Sequence, residues 1–547
     1  MPRPDPPLIR HTPTRWAQRA GTVVDTGAGS LRAQAPTGQR GVGVNPVRLV
    51  LHSLFQTAAL DRRLFGSFVE HMGRAVYTGI YEPGHPAADR SGFRADVLEL
   101  VRELGPTVVR YPGGNFVSAY DWEDGVGPAS ERPVRLDLAW RARETNQVGL
   151  NEFAQWCRQA GTTMMLAVNL GTRGVDAARN LVEYCNHPSG TYWSDQRRAH
   201  GVASPHAITM WCLGNEMDAP WQIGHKTAWE YGRVAVEAAK AMRRVDPGIE
   251  LVLCGSSNNR MPSFGAWEAT ALEEAYDQVD YISLHDYYEG DDDQVSFLAS
   301  SDAMESFIGA VTATCDHIKE KLRSTKTMGL SFDEWNVWRQ TEFHSHDSTR
   351  EAWRHAPSLA EESYSVTDAV VVGSLLICLL NHADRVRIGC LAQLVNVIAP
   401  IMTEPGGPGW RQTTFYPFAH VARFARGKVL RAAEAMSAEH ETEKYGRVAS
   451  IVSAAVWNAD DDELVVFVVN RSPWTAHPME VTLGGELADY RLVEHLVLSH
   501  PDSSATNVAG APATVVPVSR PVPDGNLVLE PVSWNVLRMR PIVGKDR

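Results

Sequence analysis

The sequence predicts an α/β protein, a (β/α)8 TIM barrel followed by a C-terminal all-β, jelly-roll-like sandwich, and three observations predict it. Between about residues 64 and 396, eight short β-branched or aromatic runs alternate with amphipathic, helix-like stretches, the pattern of a parallel sheet. No G-x-G-x-x-G follows the first run, which removes the usual reason to expect the competing open doubly wound sheet. From Val448 onward, short alternating or fully apolar runs replace the helical periods.

Taken in chain order, residues 1–45 carry Pro2, Pro4, Pro6 and Pro7 and no continuous apolar run before a small-residue cleavage site. They read as a disordered extension and not as a secretory signal. Residues 46–57 read as a strand given to the sandwich, because the apolar stretch 47–51 precedes the barrel and needs a sheet to join. The barrel is assigned to 58–400, with strands at 64–70, 107–111, 163–169, 208–213, 249–254, 281–284, 328–332 and 385–391. Helices are expected at 94–104, 150–160, 229–245 and 306–323, where apolar residues recur at helical spacing. Residues 401–547 are assigned to the sandwich, with strands at 449–457, 464–470, 479–482, 490–498 and 533–539.

Composition narrows the function. With 52 Lys+Arg against 65 Asp+Glu, the formal charge is -13, so no overall basic field attracts nucleic acid. The longest apolar stretch, 369–380, is broken by Gly373 and Ser374 and falls short of the roughly 20 residues that span a bilayer, so no membrane partner is expected. Seven cysteines without any C-x-x-C pair read as buried thiols in a reducing, cytoplasmic compartment, and no metal site or cofactor is expected.

In such a barrel the chemistry gathers where strands end. The first run ends in Glu70-His71, the second in Arg110-Tyr111 with Asn115 just beyond, the fourth in Asn215-Glu216, the sixth in His285-Asp286-Tyr287, the seventh in Asp333-Glu334, and the eighth leads to Gln393. Tips four and seven face one another across the mouth, so Glu216 and Glu334 can meet, and facing carboxylates suit glycoside hydrolysis. A lone strand-end Glu is as often a structural ion-pair partner. Two of them beside an Asn and several Trp favour catalysis. His71 and His285 read as hydrogen-bonded supports, since no H-E-x-x-H accompanies them. Asp286 is expected to point away from Glu334, whose pKa it would otherwise raise.

These residues carry a resemblance. FGSFVEHMGR (65–74) with YEPGHP (81–86), RYPGGN (110–115), WCLGNEMDAPWQIG (211–224), FDEWNVW (332–338), and AQLVN (392–396) with IMTEPGG (401–407) resemble the α-L-arabinofuranosidases of glycoside hydrolase family 51. The resemblance implies a retaining, exo-acting enzyme with Glu216 as acid/base and Glu334 as nucleophile. It implies that Asn215 binds the sugar 2-hydroxyl, that Glu70, Asn115 and Gln393 bind arabinose hydroxyls, that Trp140 and Trp338 flank the sugar, and that Arg110, His285 and Tyr287 complete the substrate-binding set, Arg110 by charge and Tyr287 by a hydrogen bond keeping Glu334 ionised. Arabinofuranosyl oligosaccharides are the implied partners and a homohexamer the implied assembly. Endoglucanase or β-xylosidase action within the family, and a barrel that binds carbohydrate without turnover, are the alternatives. The second is disfavoured because a binder needs no opposed acid and nucleophile.

Overall fold

The computed structural model describes residues 46–290, 292–346, 349–436, 438–522 and 527–542. The extension expected at 1–45 lies outside the described residues. Eight parallel strands close a barrel in chain order: Gly66–Phe68, Val108–Tyr111, Thr163–Ala167, Met210–Leu213, Glu250–Leu253, Tyr281–Tyr288, Gly329–Val337 and Val386–Ala392, the eighth pairing with the first. Each overlaps one of the apolar runs in the sequence. At the seam, a Cβ on Gly66 would lie 2.6 Å from the Gly389 carbonyl and 2.7 Å from Val108, so only glycine lets the first strand reach both neighbours.

The sixth and seventh strands outrun the sequence reading, which stopped where apolar residues stop. Their polar ends stay laddered: His285 lies opposite Glu334, Asp286 opposite Trp335, and Tyr287 opposite Asn336. The seventh strand also carries one extra residue. Ser331 to Glu334 runs beside Ser283 to His285 on one side, and Phe332 to Trp335 beside Gly389 to Leu391 on the other. This is a β-bulge in a strand paired on both edges.

The surrounding helices have local causes. Helix Ala228–Val245 starts at Thr227, whose hydroxyl accepts the Glu230 N–H while Glu230 reaches back to the Thr227 N–H, a capping box. Its buried face includes Tyr231, Ala235, Val236, Ala239 and Met242. Helix Val366–Asn381, which contains the long apolar stretch, is buried on every side through Leu380. It packs against the seventh barrel strand and helix Ser301–Leu322, and also against sandwich strands Ile451–Asn458, Glu463–Asn470 and Ser533–Pro541. Among the described residues, no helix is long and apolar enough to cross a membrane.

The sandwich has a seven-stranded and a four-stranded sheet. In the smaller sheet, Val47–His52 pairs parallel to His477–Gly484 and antiparallel to Ala433–Met436. In the larger, Gln56–Ala59 pairs with Lys428–Leu430. The boundary near 401 needs correction: Phe415–Phe424, inside the segment read as sandwich, is a helix packed on barrel helix Ala95–Leu104 and on Val366–Asn381. Arg62 holds its end by donating to the Ala422 and Ala425 carbonyls. All seven cysteines are buried and unbridged.

Candidate active site

The fourth strand ends at Leu213, and Gly214 then takes φ 92°, a conformation glycine alone adopts easily. Glu216 follows in the left-handed region with φ 44°, a strained placement for a side-chain-bearing residue and one common at functional sites. The turn delivers Asn215 and Glu216 to the barrel mouth. On the seventh strand, alternation alone would send Asp333 and Glu334 to opposite faces. The bulge turns both inward, while Phe332 and Trp335 stay in the outer apolar layer.

Carboxylate oxygens of Glu216 and Glu334 come within 4.8 Å of each other and of a His285 ring nitrogen. Arg110 donates to Glu334 Oε2 at 2.9 Å and to Asn215 Oδ1 at 2.6 Å, and the Tyr287 hydroxyl donates to Glu334 Oε1 at 2.8 Å. His285 Nδ1 lies 3.2 Å from Glu216 Oε1 and 3.6 Å from Glu334 Oε2, and its Nε2 lies 3.2 Å from Asp333 Oδ1. The Trp221 indole N–H donates to Glu216 Oε2 at 2.9 Å.

The electrostatics follow from this crowding. Burial works against a charged His285, but Glu334, Asp333 and Glu216 around the ring outweigh it and push its pKa up to about 10, so both ring nitrogens donate. Burial raises the Asp333 carboxyl, yet Arg110 and His285 hold it below the ordinary range. Burial lifts the Glu334 pKa, with Glu216 adding to the rise and His285, Arg110 and Tyr287 opposing it.

The carboxylates open on a cavity of about 740 Å³, lined by Glu70, Asn115, Trp140, Glu216, Tyr287, Glu334, Trp338 and Gln393 among others. Glu70 Oε1 accepts from the Phe116 N–H at 2.8 Å and the Trp140 indole at 2.9 Å, and the Glu70 N–H donates to Gln393 Oε1 at 3.0 Å. Arg74, a conceivable partner for Glu70, pairs instead with Glu361. Burial pushes the Glu70 pKa up to about 8, with the Phe116 N–H opposing it and the Glu334 charge adding to it. The Trp338 ring meets Tyr287 edge-on with centroids 4.9 Å apart.

Eight of the sequence-derived site residues therefore meet at one cavity. The other three, Arg110, Asn215 and His285, do not line it; they stand behind, fully buried, each holding a residue that does. His71 is satisfied by Glu144 at 2.7 Å and Tyr111 at 2.8 Å, and Asp286 turns to Arg260 at 2.8 Å. Sequence reading named Asp333 at the seventh tip without giving it a role, and it missed Trp221, five residues past Glu216 inside a matched segment. It also missed Gln222, which donates to Asn115. Phe343, His344, Pro357 and Leu359, which close another wall, had no motif to betray them.

Among the described residues, two groups have metal-compatible spacing, Glu216/His285/Glu334 and Glu305/Cys378/His382. Positive charge is already supplied in the first by Arg110 and a protonated His285, and in the second His382 Nε2 meets Glu305 Oε2 at 2.8 Å.

Family models described as "Alpha-L-arabinofuranosidase 1 domain" and "Alpha-L-arabinofuranosidase C-terminal domain" match residues 100–305 and 333–533. An intracellular exo-α-(1→5)-L-arabinofuranosidase of Streptomyces lividans is 57% identical over 502 residues, covering 90% of this chain and 75% of its own. One of the same name from Halalkalibacterium halodurans is 54% identical over 497 residues, covering 90% of this chain and 98% of its own. Among solved structures, a family 51 α-L-arabinofuranosidase of Bifidobacterium longum superposes with a TM-score of 0.87 at 46% identity, covering 91% of this chain and 100% of its own.

Proposed function

The chain belongs to the α-L-arabinofuranosidases of glycoside hydrolase family 51, and from that premise we propose that it removes terminal α-L-arabinofuranosyl residues from the non-reducing ends of arabinan or arabinoxylan oligosaccharides by a retaining double displacement. One observation carries the mechanism: the approach of Glu216 and Glu334 to within 4.8 Å. Retaining glycosidases hold their carboxyls about 5–5.5 Å apart, whereas inverting ones leave about 6.5–9.5 Å for a water.

Arg110 and His285 bring two positive charges to a buried space shared by Asp333, Glu334 and Glu216. Near-neutrality leaves one proton for the pair of glutamates. Glu334 has the contacts with Arg110 and Tyr287, so we assign it the anion and assign the proton to Glu216. Glu334 attacks the anomeric carbon, forming a glycosyl ester, as Glu216 protonates the departing oxygen. Ester formation removes the negative charge beside Glu216, which then takes a proton from the water that cleaves the ester. Glu70, Asn115 and Gln393 hold the sugar hydroxyls, and Trp140 and Trp338 flank the ring. Arg110, Asn215 and His285 act from behind, and the contact between Arg110 and Asn215 fixes both beside Glu216. The names of the relatives make 1,5-linked arabinan the first polymer to try, and they support a cytoplasmic enzyme; the hexamer rests on the resemblance alone.

The test is hydrolysis of p-nitrophenyl α-L-arabinofuranoside, with NMR of the first anomer released. α-Arabinofuranose is expected, and early β-arabinofuranose excludes retention. Glu216→Ala should accumulate a glycosyl-enzyme from an activated substrate and be rescued by azide with retention. Rescue with inversion assigns the nucleophile to Glu216 instead.

A further inference from the structure

We propose that Asp333 is a positioning residue that, through His285 and Arg110, ties the charge states of Glu216 and Glu334 to one another. The inference rests on the catalytic roles given above. Asp333 has no exposed surface and does not line the cavity, so it touches no substrate. Its two oxygens address the two cations of the site: Oδ1 lies 3.2 Å from His285 Nε2, and Oδ2 lies 3.8 Å from Arg110 Nε. That Nε makes no hydrogen bond, so its tie to Asp333 is one of charge alone, and the Cys212 thiol, on the fourth strand, donates to Asp333 Oδ2 at 3.7 Å. The opposite ends of the same cations hold the reacting groups, Arg110 on Glu334 and His285 Nδ1 on both Glu216 and Glu334.

The arrangement is a closed circuit of charge. Facing His285 are Glu216 from the turn after the fourth strand and Asp333 and Glu334 from the seventh. Arg110, from the second, stands behind them. When Glu334 becomes an ester, it no longer attracts the imidazolium, and the remaining anions near His285 are Asp333 and the emerging Glu216 carboxylate. Asp333 keeps the ring charged and oriented, so its Nδ1–H is free to stabilise Glu216 as general base. The bulge makes this possible, since a regular strand would turn only one of the adjacent Asp333 and Glu334 inward.

Coulomb's law gives opposite signs for two substitutions. Asp333→Asn removes an anion beside Glu334, so the acid limb of the kcat/KM profile on p-nitrophenyl α-L-arabinofuranoside should move to lower pH by about half a unit or more. His285→Gln removes a cation, so the same limb should move to higher pH, and the double variant should lie between the two. A structural ion pair alone would lower rate or melting temperature with the limb in place. Limbs that stay put in Asp333→Asn, or that move the same way in both single variants, overturn the proposal. Asp333→Ser carries the same expectation and replaces Asp333→Asn if that variant does not fold. Activity of the unsubstituted enzyme on the same substrate tests the assigned reaction separately.

Discussion

Glu334 is met by Arg110 at 2.9 Å, the Tyr287 hydroxyl at 2.8 Å and a protonated His285 at 3.6 Å. In the same cavity, Glu70 receives only neutral N–H donors, from Phe116, Trp140 and Gln393. Both glutamates are buried, but only the first has cations to offset the loss of water. Near Glu70, burial also pushes Asp137 up to about 7, and one of its oxygens has no hydrogen-bond partner. The contrast teaches that one cavity can keep a carboxylate ready for attack while leaving another free to take up or release a proton near neutral pH.

The largest test of that contrast removes the cation. Arg110→Ala should lower kcat by about 10²–10³-fold, the usual cost of removing one preorganised electrostatic partner from a reacting centre. A smaller loss measured by steady-state kinetics would mean that Tyr287 and His285 suffice without it. Next comes Glu70. Its folded pKa, about 8, lies above its unfolded value near 4.5, so the folded protein retains a proton that the unfolded chain releases. This part of the stability is therefore lost as pH rises from 4.5 to 8. Glu70→Gln cannot ionise, so its stability relative to the parent should improve by up to a few kcal/mol between pH 5 and pH 8 in denaturant titrations. A difference that does not change with pH would mean that Glu70 ionises in the folded protein as it does in the unfolded chain. The smallest effect is expected from Trp140→Phe, which keeps the ring and deletes one donor to Glu70. KM should rise severalfold, on the order of 1 kcal/mol, with kcat nearly unchanged.

The barrel was legible because its strands are apolar runs bounded by turn residues, and the two glutamates because they stand directly after such runs. The role of Asp333 escaped because one extra residue in the seventh strand lets it share the inner face with Glu334, and no local pattern announces a bulge. Helix Phe415–Phe424 escaped because the Pro, Gly and Thr before it read as the start of the sandwich. The cavity wall formed by Phe343, His344, Pro357 and Leu359 depends on where a long connection folds back, which tertiary packing decides. Trp221 lay within a matched segment, but the hydrogen bond that gives it meaning needs Glu216 in its left-handed conformation.

Helix Val366–Asn381 belongs to both parts of the molecule, for the Trp534 ring of the sandwich lies so close to Gly373 that an added Cβ would fall 2.5 Å from it. The C-terminal sheets are thus no detachable accessory. Truncation ahead of them would strip one flank of the most apolar helix and leave the barrel with a sticky, aggregation-prone side, so swapping modules at this joint would require redesigning the helix as well.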